Sequence, residues 1–247
     1  MLPCRLIVDA PLSGVWNMAV DEVLLDQAAA LQQATLRFYQ WAEPTLSLGY
    51  FQSYEDRALH AASRACPVVR RQSGGGAIVH DQELTYTLAL PAAEPLARDP
   101  QALYEAVHGS LLDALAEWQI VTRLCASPAK IAAHAEPFLC FKRRSAGDVL
   151  LGESKICGSA QRRGRGAIVQ HGSILLAAST AAPQLLGIAE LAGVRLKPAQ
   201  LIATWQPRLA VRAGLELTAG SLDAAAVRQV QSLALEKYDM QRWTQRR

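Results

Sequence analysis

The sequence predicts an α/β protein of the α+β kind, with a central mixed, largely antiparallel sheet flanked by helices. Three observations carry that expectation. Short apolar runs lie in close pairs through the middle of the chain, as hairpins require. Two long stretches, 13–32 and 101–118, carry apolar residues at helical spacing instead. Strands and helices then interleave without strict βαβ regularity, which disfavours a doubly wound parallel sheet.

Taken in order, Arg5–Val8 and Thr35–Tyr39 read as strands. Between them Ser13 caps a helix running to about Gln32, with Met18, Leu24, Leu25 and Leu31 as its apolar stripe. Thr45–Gly49 and Val68–Arg71 are short strands around a polar stretch. Ala77–His80 and Leu84–Leu90 follow, the second placing Leu84, Tyr86, Leu88 and Leu90 on one face. In the helix over 101–118, Leu103, Val107, Leu111, Ala114 and Trp118 share a face. Strands are expected near 120–124, 147–151 and 167–176, and helical segments near 183–191 and 222–237. No linker divides the chain, so a single domain over residues 1–247 is expected.

Composition narrows the function. With 51% hydrophobic and 19% charged residues the chain is globular rather than disordered. A net charge of +3 neither demands nor excludes an acidic partner and is too small to argue for nucleic acid, so no nucleic-acid partner is expected. No apolar run approaches the ~20 residues of a membrane span, and the N-terminus MLPCRLIVDAP lacks a signal-peptide layout, so no membrane partner is expected. The five cysteines, Cys4, Cys66, Cys125, Cys140 and Cys157, form no CxxC pair and are odd in number, as fits free thiols in the cytoplasm.

Arg70-Arg71-Gln72-Ser73-Gly74-Gly75-Gly76 joins an apolar strand to the next one. Three consecutive glycines weaken a strand, so the position favours positive φ or close approach of a ligand. Backbone N–H groups there can cradle an anion or carbonyl, with Arg70 or Arg71 adding charge. The loop is neither a Walker loop nor a GxGxxG opening a helix, and a flexible hairpin turn is the other reading. His80-Asp81 reads as a general base with its orienter, or as a capped strand end.

Cys140 sits in Phe138-Leu139-Cys140-Phe141, directly before Lys142-Arg143-Arg144. A thiol in apolar company is commonly an inert core residue, whereas neighbouring cations raise thiolate character. Lys155 lies fifteen residues on, beyond the expected 147–151 strand, at the head of a small-residue turn at Gly158-Ser159-Ala160. A lysine in apolar and small company is either paired or chemically active. Arg162, Arg163 and Arg165 read as a solvated hairpin tip or as a docking surface for an acidic partner. His171, in Gln170-His171-Gly172, reads as a core histidine or a site residue. There is no HExxH, CxxC or tight carboxylate pair, so no metal site is expected.

These segments together resemble the lipoate-protein ligase and octanoyltransferase family. The resemblance starts at NMAVDEVLL (17–25) and RFYQWAEPTLSLGYFQ (37–52). It continues through RRQSGGGAIVHDQELTYTLAL and KICGSAQRRGRGAIVQHGSILL to EKYDMQRW (236–243). It implies the biotin/lipoate ligase catalytic fold. The GRGRxxR form of the glycine loop found in biotin ligases is absent. A first type of octanoyltransferase places its cysteine beyond the HG strand, where residues 177–195 here have none. The second type, as in Gram-positive bacteria, carries a Cys-Phe fifteen residues ahead of the lysine of K-[IV]-x-G-S-A-Q, a spacing that Cys140-Phe141 and Lys155 reproduce. Where that type commonly has an acidic residue soon after Cys-Phe, this chain has Lys142-Arg143-Arg144.

What the resemblance implies is an octanoyltransferase that takes octanoate from acyl carrier protein as a cysteine thioester and passes it to a lysine of a lipoyl domain. The acceptor would be the glycine-cleavage H protein or a 2-oxoacid dehydrogenase. Cys140 would be the nucleophile, and Lys155 would favour the thiolate and orient the acyl carbonyl. Gly74, Gly75 and Gly76 would line the acyl tunnel and serve as an oxyanion hole. Arg70, His80, Gly158, Ser159, Ala160, His171 and Gly172 would complete the substrate pocket. No cofactor is implied; ATP and Mg would be needed only by the alternative, a lipoate-protein ligase. The chain length leaves no room for the C-terminal accessory domain that many ligases carry, which favours transfer. A non-catalytic, lipoyl-domain-binding member is the remaining alternative.

Overall fold

The computed structural model describes residues 1–127, 136–164 and 166–247. Strand β1 (Leu2–Val8), helix α1 (Gly14–Ala30), β2 (Ala34–Tyr39) and β3 (Thr45–Leu48) open the chain. They are followed by β4 (Val68–Arg70), β5 (Ile78–His80) and β6 (Glu83–Pro91). A short α2 (Pro95–Arg98) leads into α3 (Pro100–Ala116), then β7 (Thr122–Leu124), β8 (Val149–Leu151), β9 (Ser154–Gly164) and β10 (Ala167–Leu175). Helices α4 (Ile188–Ala192) and α5 (Pro198–Ala213), strand β11 (Leu215–Ala219), and helices α6 (Ala224–Leu233) and α7 (Gln241–Thr244) complete the order.

Among the described residues, eight strands form one sheet in the order β11-β1-β2-β6-β10-β9-β8-β7. Within this sheet β11–β1 and β1–β2 pair in parallel and the other ladders are antiparallel. This is the mixed, largely antiparallel sheet that the sequence predicts. Helices cover both faces, which is why β6 is buried at every position. Its Leu84, Tyr86, Leu88 and Leu90 pack into the core under α3 and α5, around Trp205, whose ring lies 5.2 Å from that of Tyr86. The intervening Ala89 joins the core under α1 and α6 with Val20, Leu24 and Val169. Each large apolar side chain so buried contributes about 1.5–3 kcal/mol before entropy is counted. A smaller sheet, β4-β3-β5, carries the glycine loop between β4 and β5. No helix among the described residues is long and apolar enough to cross a membrane.

The α1 cap is as expected: the Ser13 hydroxyl accepts the Trp16 N–H at 3.3 Å. Four features differ from the sequence reading. Leu31 is 63% exposed, because the helix ends at Ala30 and the chain turns away through Gln32 at φ 54. Gly158-Ser159-Ala160 is no turn but the middle of β9, laddered to Gly172 and its neighbours on β10. The helical stretch near 183–191 is reduced to α4. Helix α5 and strand β11 went unpredicted; Pro207 interrupts the α5 pattern, although Leu201, Trp205 and Leu209 recur every four residues on its buried face.

Candidate active site

The glycine loop is held rather than flexible. Arg71, buried at its base, donates from Nη2 to the carbonyls of Gly74 (2.8 Å) and Gly76 (2.7 Å), and from Nη1 to that of Ser47 (3.0 Å). Gly75 takes φ +93, a conformation that an L side chain would strain. At the loop's start the Ser73 hydroxyl meets His171 Nε2 at 2.5 Å, and His171 Nδ1 meets Asp21 at 2.9 Å. Burial alone pushes Asp21 up, but the hydrogen bond and charge of His171, with Arg37 and Thr87, outweigh it and hold the carboxyl below its usual range. Past the glycines, Ala77 and Cys140 are laced together: the Cys140 N–H donates to the Ala77 carbonyl at 2.7 Å.

That lacing sets Cys140 against β9. Lys155 Nζ lies 3.7 Å from Cys140 Sγ and 2.9 Å from Asp148 Oδ2, with the lysine and aspartate side chains both only 4% exposed. Burial pulls the ammonium down, but a thiolate at Cys140 and the Asp148 carboxylate outweigh it, so Lys155 is held above the ordinary lysine value. Gly158 makes this possible. A Cβ there would come within 2.6 Å of Lys155 Nζ, so only glycine lets the lysine run back along its own strand. Of the other cysteines, Cys4 is pushed up to about 12 by burial, and burial also raises Cys66 and Cys157. Among the described residues, Cys140 is the thiol with a lysine ammonium as its hydrogen-bond donor.

A buried polar chain supports the Asp148 end. His108 Nδ1 meets the Gly147 carbonyl and Nε2 meets Ser159 Oγ, each at 2.6 Å. Burial holds His108 below its ordinary value, so the ring is neutral and one nitrogen donates while the other accepts. The assignment that satisfies every group runs one way. Gln161 donates to Gln170, Gln170 to Tyr86, Tyr86 to Ser159, Ser159 to His108, and His108 to Gly147. The carbonyl at its end belongs to the residue that precedes Asp148.

Arg71, Cys140, Asp148, Lys155 and His171 line one cavity of about 310 Å³. Its wall includes Gly74, Gly75, Gly76, His80, Cys140, Lys155, Gly158, Ser159, Ala160, His171 and Gly172. A concave, half-apolar chamber with a cation-paired thiol at its wall suits covalent handling of an acyl group. The sequence profile of the lipoyl protein ligase A/B catalytic domain matches residues 13–194. The chain belongs to that family. It is 31% identical to octanoyltransferase LipM of Bacillus anthracis, covering 94% of both chains. The LipM of Brevibacillus brevis is 37% identical over 70% of this chain and 65% of its own. The structure also superposes on the putative lipoate protein ligase Ta0514 of T. acidophilum with a TM-score of 0.80, covering 100% of each chain at 18% identity, which speaks for the fold.

Several expectations shift in this lipoyl protein ligase A/B domain. Arg70 does not line the cavity. It is fully buried, with its guanidinium donating to the carbonyls of Gly49, Gln52 and Thr244; adjacent strand residues point to opposite sides, and Arg71 faces the loop. The orienter of His80 is Glu83, at 2.5 Å, rather than Asp81, and the ring stacks on Trp41 at 3.8 Å. Of the charges after Cys140, Lys142 donates to the Gln184 carbonyl, Arg143 pairs with Glu136 and Arg144 shares Glu153 with Arg123; Lys155 and Arg71 are the further cations that line the cavity with the thiol. Arg162 and Arg163 are exposed at the end of β9, and Arg165 lies outside the described residues. Sequence reading missed Asp148, Asp21 and His108. For Asp21 a signal existed, since Asn17 and Asp21 put two polar groups four residues apart on the buried face of α1.

Proposed function

We propose that the chain moves an octanoyl group from acyl carrier protein, through a thioester on Cys140, to a lysine of a lipoyl domain. Octanoyl transfer in protein lipoylation follows from kinship with the LipM octanoyltransferases, and the enzyme is an acyltransferase. The observation that carries the route is the 3.7 Å separation of Cys140 Sγ and Lys155 Nζ inside the cavity. The Cys140 thiolate attacks the carrier thioester carbonyl, and the carrier's thiolate leaves. The neutral amine of the acceptor lysine then attacks the acyl-cysteine, gives its proton to solvent, and releases the Cys140 thiolate, which Lys155 stabilises. Neither step needs ATP or a metal, because the donor thioester is already activated. Transfer from the carrier thioester to a lipoyl domain should therefore run without ATP or Mg. Activity only with free lipoate plus ATP, unaffected by Cys140→Ala, would establish the ligase alternative instead.

Glycine-cleavage H protein and the lipoyl domains of 2-oxoacid dehydrogenases are the proposed acceptors, in the cytoplasm. The exposed Arg162 and Arg163 support docking of an acidic protein: Arg162 lies over the Tyr50 ring at 5.8 Å, with Arg246 over the same ring at 4.3 Å. Charge reversal at Arg162 and Arg163 should raise KM for the protein substrate and flatten its salt dependence. Unchanged kinetics would return these arginines to a solvated strand end.

A further inference from the structure

We propose that Arg71 is a positioning residue of the reaction, the second cation of the thiol centre and the clamp that sets the peptide orientation of the glycine loop. This rests on Cys140 being the nucleophile. Arg71 makes no ion pair with a carboxylate among the described residues, and its Nε–H is buried without an acceptor. Burying a guanidinium on carbonyls alone is costly, and an anion facing the same cavity lowers that cost. The charges around the cavity show which anion. Arg143 pairs with Glu136 and Arg144 shares Glu153 with Arg123, while Lys155 and Arg71 line the cavity with the one buried carboxylate of Asp148. With Cys140 as a thiol the inner site carries one positive charge in excess. With Cys140 as a thiolate it is balanced.

The same side chain controls the loop. Two carbonyls of a three-glycine run, those of Gly74 and Gly76, converge on one Nη2 atom. In a trans peptide the N–H points opposite to the C=O, so the Gly75 N–H is turned away from the guanidinium. Arg71 also touches the turn sterically, since a Cβ on Gly75 would stand 3.1 Å from Nη2. Burial draws Arg71 down and a Cys140 thiolate draws it part-way back, leaving it at about 10, the coupling that a shared charge balance requires. A lysine at this position supplies the charge without the fork, whose second nitrogen ties the loop carbonyls to that of Ser47 on β3.

The test compares Arg71→Met and Arg71→Lys with wild type in the full chain. Alkylation of Cys140 by iodoacetamide at neutral pH is read by peptide mass, separately from Cys66, beside steady-state transfer from octanoyl carrier protein. The methionine variant should alkylate about tenfold more slowly, whereas the lysine variant stays within about threefold of wild type. Transfer by the lysine variant should nevertheless fall at least about tenfold, in kcat rather than KM. If the methionine variant loses its cooperative melting transition, the lysine variant decides alone. Full transfer by a lysine variant, or wild-type alkylation in a folded methionine variant, overturns the proposal. Should wild-type Cys140 alkylate readily yet accept no acyl group, the transferase reading fails while the alkylation comparison still decides the role of Arg71.

Discussion

Lys155→Ala slows octanoyl transfer by about 10²–10³-fold, the loss expected when a preorganised cation is removed from a water-poor site. The interaction is large because Nζ stands 3.7 Å from the sulfur and the lysine side chain is 4% exposed. At that separation opposite charges attract by about 4 kcal/mol at an effective dielectric near 20. Lys155→Arg separates charge from shape. The arginine variant keeps much of the reactivity of Cys140 toward iodoacetamide at neutral pH, yet loses acyl transfer, because a planar guanidinium does not fit the groove over Gly158. The alanine variant loses both. Equal alkylation rates in all three proteins would show that Lys155 leaves the thiolate untouched and acts only on the acyl carbonyl.

Asp148→Asn is the second large effect, and it falls on stability first. The ion pair with Lys155 is buried on both sides, so removing one charge leaves an ammonium in the interior and destabilises the fold by about 3–5 kcal/mol. A thiolate at Cys140 recovers part of that loss, which places the cost toward the lower end. The pH dependence follows from the raised Lys155. A lysine raised on folding contributes stability that is fully present below its unfolded value of about 10.4 and lost as pH climbs through the folded value. Melting temperatures of wild type and Asp148→Asn should therefore differ most at neutral pH and converge in strong alkali. A constant gap across that range would mean that Asp148 stabilises by its hydrogen bonds rather than by its charge.

How much of this was legible in the sequence depends on whether the cause is local. The glycine run, the cap at Ser13 and the alternation in β6 are local signals, and each could be read directly. The meeting of Cys140 with Lys155 came from the family spacing, and what brings it about is the backbone exchange between Ala77 and Cys140. Asp148 carried no mark, because a lone aspartate before a strand usually faces solvent. The choice of Arg71 over Arg70 hung on which neighbour faces the loop, a register that three-residue β4 fixes only through its partner β3. The small residues 158–160 read as a turn because glycine and serine favour turns. Here they serve a strand that must leave room for Lys155 and for the hydroxyl chain through Tyr86. Helix α5 was hidden by Pro207, whose cost is outweighed by packing of Trp205 and Leu209.

The central claim is that Cys140 carries the acyl group. Wild-type protein, incubated with octanoyl carrier protein in the absence of any acceptor and read by intact mass, should gain one octanoyl group that hydroxylamine removes. Peptide mapping should place it on Cys140, and Cys140→Ser should give no hydroxylamine-labile adduct. A labile octanoyl adduct that persists in Cys140→Ser, or transfer to the lipoyl domain with no acyl-enzyme formed at any time, would contradict the account.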